Sequence, residues 1–143
     1  MAHLVAILGD TVEGKDGARV GVSSLADNDL LGLYFSAHWC PPCRNFTPVL
    51  VECYKSVTAA GKKWQIVFIS FDRDITSCKD YYNTMPWLLL PFDSDLKEQL
   101  SETYGVRGIP ALIFIDPKTG KLITANGRQA VEQDKTGEKF PWK

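Results

Sequence analysis

The sequence has no apolar stretch approaching the roughly 20 residues that a bilayer-spanning helix needs, so no membrane role is expected. It has no basic excess: 16 Lys and Arg stand against 17 Asp and Glu, a formal net charge of −1. Nucleic acid and anionic membrane, as obligatory partners, need a basic surface, and this balance argues against both. Histidine is scarce, with only His3 and His38, and of the four cysteines only Cys40 and Cys43 are spaced as a motif. A secreted disulfide scaffold of this size usually carries more cysteines. A zinc site needs a second pair of ligands, and Cys53 and Cys78 are isolated. No internal repeat or low-complexity segment occurs. Residues 1–10 lack the basic n-region and long apolar core of a signal peptide, and the Arg- and Ser-rich pattern of a transit peptide. The expectation is a cytosolic protein, with the nucleus open by diffusion.

What is present suits one soluble domain over residues 1–143, 45% hydrophobic and 23% charged, large enough to fold around its own core. A monomer is expected. Residues 4–8 and 18–22 flank a turn-rich Glu13-Gly14-Lys15-Asp16-Gly17 and predict an N-terminal hairpin. Leu30–Ser36 and residues 64–71 are near-continuous apolar runs, the pattern of strands covered on both faces. Between them, Phe46, Val49, Leu50, Cys53, Tyr54 and Val57 recur at helical steps and predict a helix over 40–60, stopped by Gly61 and kinked at Pro48. Further helices are predicted over 74–83, capped by Asp74, and from Asp93 or Ser94 through Tyr104. Ala111–Ile115 and residues 122–125 flank Asp116-Pro117-Lys118-Thr119-Gly120 and predict a closing hairpin. The tail from Gln129 reads as polar up to Phe140-Pro141-Trp142. Strands separated by helices imply a parallel βαβ unit, so the expected architecture is α/β: a mixed sheet with helices on both faces.

The informative segment is Trp39-Cys40-Pro41-Pro42-Cys43, at the point where a buried strand gives way to a helix. Two cysteines three apart on a first helical turn can close a small disulfide ring. The first sits at the helix N-terminus, where unpaired N–H groups and the macrodipole favour the thiolate. Thiolate is the attacking species, so Cys40 is the candidate nucleophile. Cys43 lies one turn deeper, shielded, and is the candidate resolving thiol. Pro41 and Pro42 lose no helical hydrogen bond there and remove N–H groups that would solvate the thiolate. A zinc half-site, a structural disulfide and plain packing are the alternatives; the lone pair, the reducing compartment and the strand-to-helix position weigh against them. Gly108-Ile109-Pro110 precedes a predicted strand. A cis bond there would turn the backbone of Ile109 toward an incoming substrate; a trans proline opening an edge strand is the alternative. His38 borders the motif as a candidate for tuning Cys40, or as an exposed loop residue.

These residues, with Pro48 and Tyr104-Gly105-Val106-Arg107-Gly108-Ile109-Pro110, resemble the thioredoxin superfamily. The Pro-Pro pair, Tyr34-Phe35-Ser36-Ala37-His38-Trp39, Met85-Pro86-Trp87, Leu90-Pro91-Phe92 and Phe140-Pro141-Trp142 resemble its tryparedoxin and nucleoredoxin branch, from about Leu4 to Trp142. The resemblance implies a thioredoxin fold, a cis Ile109–Pro110 bond beside the cysteines, and Trp39 shielding Cys40. It implies a substrate-binding set of Ile109, Pro110, Phe71, Asp72 and Arg128. Phe71 departs from the tryptophan of tryparedoxins, so a trypanothione-specific pocket is not carried over. General thioredoxins hold a buried acid where Tyr34 stands; an ordinary tyrosine is a poor base at neutral pH, which leaves water, His38 or Asp72 to move the proton of Cys43. The implied activity is that of an enzyme, a dithiol–disulfide oxidoreductase with no bound cofactor beyond a redox-active Cys40–Cys43 disulfide. It would pass electrons from a cellular dithiol or reductase (thioredoxin reductase, glutathione or trypanothione) to disulfides of proteins such as peroxiredoxins. The alternative is a nucleoredoxin-like redox-sensitive binding module that holds a signalling partner in one oxidation state.

Overall fold

All seven residues of Leu30–Ser36 are buried, which requires cover on both faces of the strand. The computed structural model, which describes residues 2–143, supplies it. In chain order the elements are α1 (Ala2–Leu8), β1 (Thr11–Glu13), β2 (Arg19–Gly21), β3 (Leu30–Ser36), α2 (Pro41–Ala59), β4 (Trp64–Ser70), α3 (Ile75–Tyr82), β5 (Leu88–Leu89), α4 (Leu96–Thr103), β6 (Ala111–Ile115), β7 (Leu122–Thr124) and α5 (Gly127–Gln133). The strands form one sheet in the order β2-β1-β5-β4-β3-β6-β7. β3 pairs with β4 in parallel, from Leu30 opposite Trp64 to Ser36 opposite Ser70, and with β6 antiparallel.

Side chains alternate across a strand, and the two faces divide the core accordingly. Leu30 and Tyr34 pack with Ile66, Phe68, Leu112 and Phe114 against α2, α3 and α5. Leu31, Leu33 and Phe35 pack with Val67, Ile69 and Ile113 against α1, α4 and the 3-10 turn Val22–Asp27. This is the thioredoxin fold, a mixed sheet with helices on both faces.

The N-terminal expectation needs correction. The hairpin exists, but it pairs Thr11–Glu13 with Arg19–Gly21, and the run at 4–8 is helical. Leu4 and Leu8, one turn apart, are both fully buried on the second face. So short a helix is marginal alone. Burying each leucine stabilises it by about 1.5–3 kcal/mol. A short apolar run does not by itself distinguish helix from strand.

The long helix α2 continues through Pro48 and ends at Ala59, two residues before Gly61, whose φ is +82°. Gly61 N–H donates to Thr58 O and Lys62 N–H to Val57 O, closing the last turn. α3 starts at Asp74, whose side chain accepts from Ser77 N–H. Ser94 Oγ accepts from Leu96 N–H at the start of α4. Met85-Pro86-Trp87 leads into β5, a two-residue strand between β1 and β4.

The tail is also more structured than its polarity suggests. It forms α5, which buries Val131, and then Phe140 and Trp142 cover Trp64 at ring distances of 5.6 and 5.3 Å. Trp142 stacks on Phe114 at 5.2 Å. The crossing of tail and α2 is tightest at Gly137, where φ is +71° and an added Cβ would overlap a methyl group of Val57. Gly137→Ala is therefore expected to lower the unfolding free energy by about 2–4 kcal/mol in urea titrations, through strain and overpacking together.

Candidate active site

Cys40 is the N-cap of α2, in extended backbone conformation (φ −97°, ψ 111°). Pro41 and Pro42 occupy the next two positions and carry no N–H. The first donor the helix offers is therefore Cys43 N–H, and it points at Cys40 Sγ, 3.3 Å away. One backbone donor and the positive helix end thus converge on a single sulfur. Cys40 is 5% exposed and Cys43 is fully buried. Both are unbridged thiols in the structure. Burial, then a hydrogen bond with Cys40, pushes the Cys43 thiol up to about 11.

Ile109 and Pro110 face this pair. The Ile109–Pro110 bond is cis, and Cys40 Sγ lies 3.8 Å from Ile109 O. Ile109 and Phe71 pack against Ala37, Cys40 and Cys43. Arg128 comes from α5 onto the other flank of the motif: it lines a hollow with Pro42 and Asn45, its guanidinium 5.8 Å from the Phe46 ring centre.

The loop after β3 is clipped to the loop after β4. His38 N–H donates to Asp72 Oδ1 (2.7 Å), and Asp72 Oδ2 accepts from Ser70 Oγ (2.6 Å). Trp39 Nε1–H donates to Phe71 O (3.0 Å), and Arg44 donates to His38 O (3.2 Å). Asp72 is buried, while Trp39 is 49% exposed beside the cysteines, with the Arg73 guanidinium 5.6 Å from its ring centre. The exposed His38 ring stacks on Tyr81 at 5.1 Å.

Three residues that the sequence reading did not single out complete the site. Ser36 and Tyr34 project from β3 toward α2 and α3. Tyr34 OH lies 2.7 Å from Thr47 Oγ1, Thr47 Oγ1 2.6 Å from Tyr81 OH, and Tyr81 OH 2.8 Å from Ser36 Oγ. Thr47 donates to Cys43 O (3.0 Å). Strand parity and the four-residue step from Cys43 to Thr47 are the only sequence signals for this cluster. Burial pushes Tyr34 far above the ordinary phenol range and raises Tyr81, so both remain neutral hydroxyls. Cys53 and Cys78 are fully buried on the α2 and α3 sides of the core. Burial pushes Cys53 up to about 12 and raises Cys78, the environment of unreactive thiols. Among the described residues no group of three or more His, Cys, Asp or Glu side chains is placed to hold a metal ion.

A helix capped by the first cysteine of a Cys-x-x-Cys pair, facing a cis-proline loop across a mixed sheet, defines a thiol–disulfide oxidoreductase site. The sequence profile of the thioredoxin-like family matches residues 28–122, and the chain belongs to that family. It is similar to tryparedoxin of Trypanosoma brucei brucei, with 49% identity over 125 residues, 87% of this chain and 85% of the relative. The solved structure of tryparedoxin from Trypanosoma brucei superposes with a TM-score of 0.91 at 42% identity, covering 98% of this chain and 97% of that one. Tryparedoxin II complexed with glutathionylspermidine superposes at 0.86 with 38% identity, covering 93% and 92%. Nucleoredoxin of Bos taurus is 47% identical over 121 residues, 84% of this chain; the match spans just 28% of that longer protein. The chain carries a dithiol site of the thioredoxin type.

The Asp72 clasp yields a direct expectation. Asp72→Ala removes the acceptor for His38 N–H and leaves that donor and Ser70 to find water. Hydrogen exchange at the His38 amide should accelerate by about tenfold, with a loss of about 1–3 kcal/mol in global stability. Both are read from exchange mass spectrometry and urea unfolding of the same variant.

Proposed function

We propose that this protein reduces disulfides of target proteins, with Cys40 attacking and Cys43 resolving. The observation that carries this reading is the convergence of the first helical N–H on Cys40 Sγ while Cys43 is sealed one turn below. In the first step the Cys40 thiolate displaces one sulfur of the substrate disulfide, forming a mixed disulfide and releasing one substrate thiolate. In the second, Cys43 loses its proton and attacks Cys40. The Cys40–Cys43 bond forms, the mixed disulfide breaks, and the second substrate sulfur leaves as a thiol. A cellular dithiol or reductase then returns two electrons to the pair.

Ile109 offers backbone groups to an extended substrate segment, Trp39 and Phe71 an apolar seat, and Arg128 a cation on the opposite flank. Peroxiredoxins are a fitting class of disulfide target. A related tryparedoxin bound to glutathionylspermidine favours a small thiol as electron donor. A reducing cytosolic setting suits the cycle. The exposed Trp39 and Ile75, with Arg73 beside Trp39, favour a second reading, a nucleoredoxin-like module that holds a signalling partner in one oxidation state.

Turnover separates the two. Insulin disulfide reduction under excess dithiothreitol should be catalysed by the wild type and lost in Cys40→Ser and Cys43→Ser, with a trapped mixed disulfide in Cys43→Ser alone. A wild-type rate no higher than the dithiothreitol background would favour the binding module. The raised pKa of Cys43 sets the sign of the pH dependence. At neutral pH nearly all of it is thiol, so its thiolate fraction grows about tenfold per pH unit until pH nears about 11. The resolution step, followed in single turnovers, should accelerate accordingly across the alkaline range.

A further inference from the structure

The resolving thiol must ionise inside the protein, and none of the three carriers expected from sequence is placed to help it. Both carboxylate oxygens of Asp72 are already engaged, by His38 N–H and by Ser70. The charge of Asp72 acts on Cys78 and Lys97. The His38 ring is exposed and stacked face to face on Tyr81. Cys43 itself is fully buried away from bulk water. The groups against the Cys43 thiol are Cys40, the Ser36 hydroxyl on β3 and the Ala37 backbone, with Tyr81 2.8 Å behind Ser36. Cys40 is its ionisable partner on its own helix, Tyr81 faces it from α3, and Ile109 packs against it from the cis-proline loop.

Counting protons gives the buried hydroxyls a direction. Thr47 has one hydroxyl proton and donates it to Cys43 O. Its two remaining lone pairs must then accept, one from Tyr34 and one from Tyr81. Tyr81 has thereby spent its proton, so at 2.8 Å it accepts from Ser36. Ser36 has spent its proton in turn, and the oxygen it shows to Cys43 can only accept, which suits S–H. Two short rotations reverse this arrangement: Tyr81 turns to donate to Ser36, and Ser36 turns to donate to sulfur. The only loss is one acceptor site on Thr47 left open.

We infer that Ser36 and Tyr81 form a reversible hydroxyl switch that accepts from the Cys43 thiol before resolution and donates to its thiolate during it. The inference rests on the proposed roles of Cys40 and Cys43. The step balances as Cys43–SH plus Cys40–S–S–R giving Cys40–S–S–Cys43 plus R–SH. The proton that Cys43 gives up ends on the departing substrate sulfur. Neither hydroxyl changes its own protonation state; each changes only the direction of its hydrogen bond. Ser36 acts directly on the reacting sulfur, and Tyr81 is a positioning residue that acts through Ser36.

A chromogenic aromatic disulfide such as Ellman's reagent tests this, because it releases one coloured thiolate when Cys40 attacks and a second when Cys43 resolves. In Ser36→Ala the second phase should slow about tenfold, the loss expected for a hydrogen bond to a charged group. Its pH profile should move up by about one pH unit, with the first phase unchanged. Tyr81→Phe keeps the ring stacked on His38 and should show the same selective effect, about threefold. Unchanged second phases and pH profiles in both variants would overturn the switch, as would a shift in Asp72→Asn absent from both. Retention of the second phase in Cys43→Ser would overturn the assignment of the resolving thiol, and the inference with it.

Discussion

The parallel, in-register pairing of β3 with β4 is the constraint from which the rest of the site follows. Seven consecutive pairs, from Leu30 with Trp64 to Ser36 with Ser70, make the two strands stop at one level. Their following loops therefore emerge side by side, and Asp72 can accept from His38 while Phe71 O accepts from Trp39. A slip of one residue would exchange the two faces of a strand that is buried on both. It would carry Tyr34 and Ser36 away from α2 and α3. The register thus sets where the nucleophile emerges and also which hydroxyls lie beneath it.

The prolines of the motif act by subtraction. A helix start normally shares its positive end among several free N–H groups. Here two of them are absent, and the remaining first-turn donor is directed at one sulfur. The same turn seals the second cysteine, so burial that favours the neutral form acts on Cys43 while the helix end acts on Cys40. Two chemically identical side chains, three residues apart, acquire different tasks because one stands outside the helix and the other within it.

Much of this was legible in the sequence where one local rule had no competitor. The apolar runs of β3 and β4 have the length and composition of covered strands, Asp74 and Gly61 mark helix ends by their own chemistry, and the cysteine pair announces its position. What was not legible depends on partners distant in the chain. The run at 4–8 carries no preference of its own, and it is helical because Leu4 and Leu8 find the sheet. β5 is two residues long and exists only because β1 and β4 pair with it from either side. Ser36, Thr47 and Tyr81 are ordinary hydroxyl residues in sequence; the fold of three separate elements turns them into one network. The tail from Gln129 reads as polar up to Phe140, and that Phe140 and Trp142 then close over Trp64 and Phe114 is not revealed by the local pattern around them.

Of the four tryptophans, three belong to the fold: Trp64 and Trp87 lie deep in the core, and Trp142 is half-covered where it closes over Trp64. Only Trp39 stands in solvent, and it does so next to the reacting sulfurs. The intrinsic emission of the protein is thereby divided between two kinds of chromophore. The three covered indoles report on the integrity of the scaffold, and the exposed one on whatever settles over the dithiol. The chain carries its own optical reporter of occupancy at the place where occupancy matters, and no label has to be attached to read it.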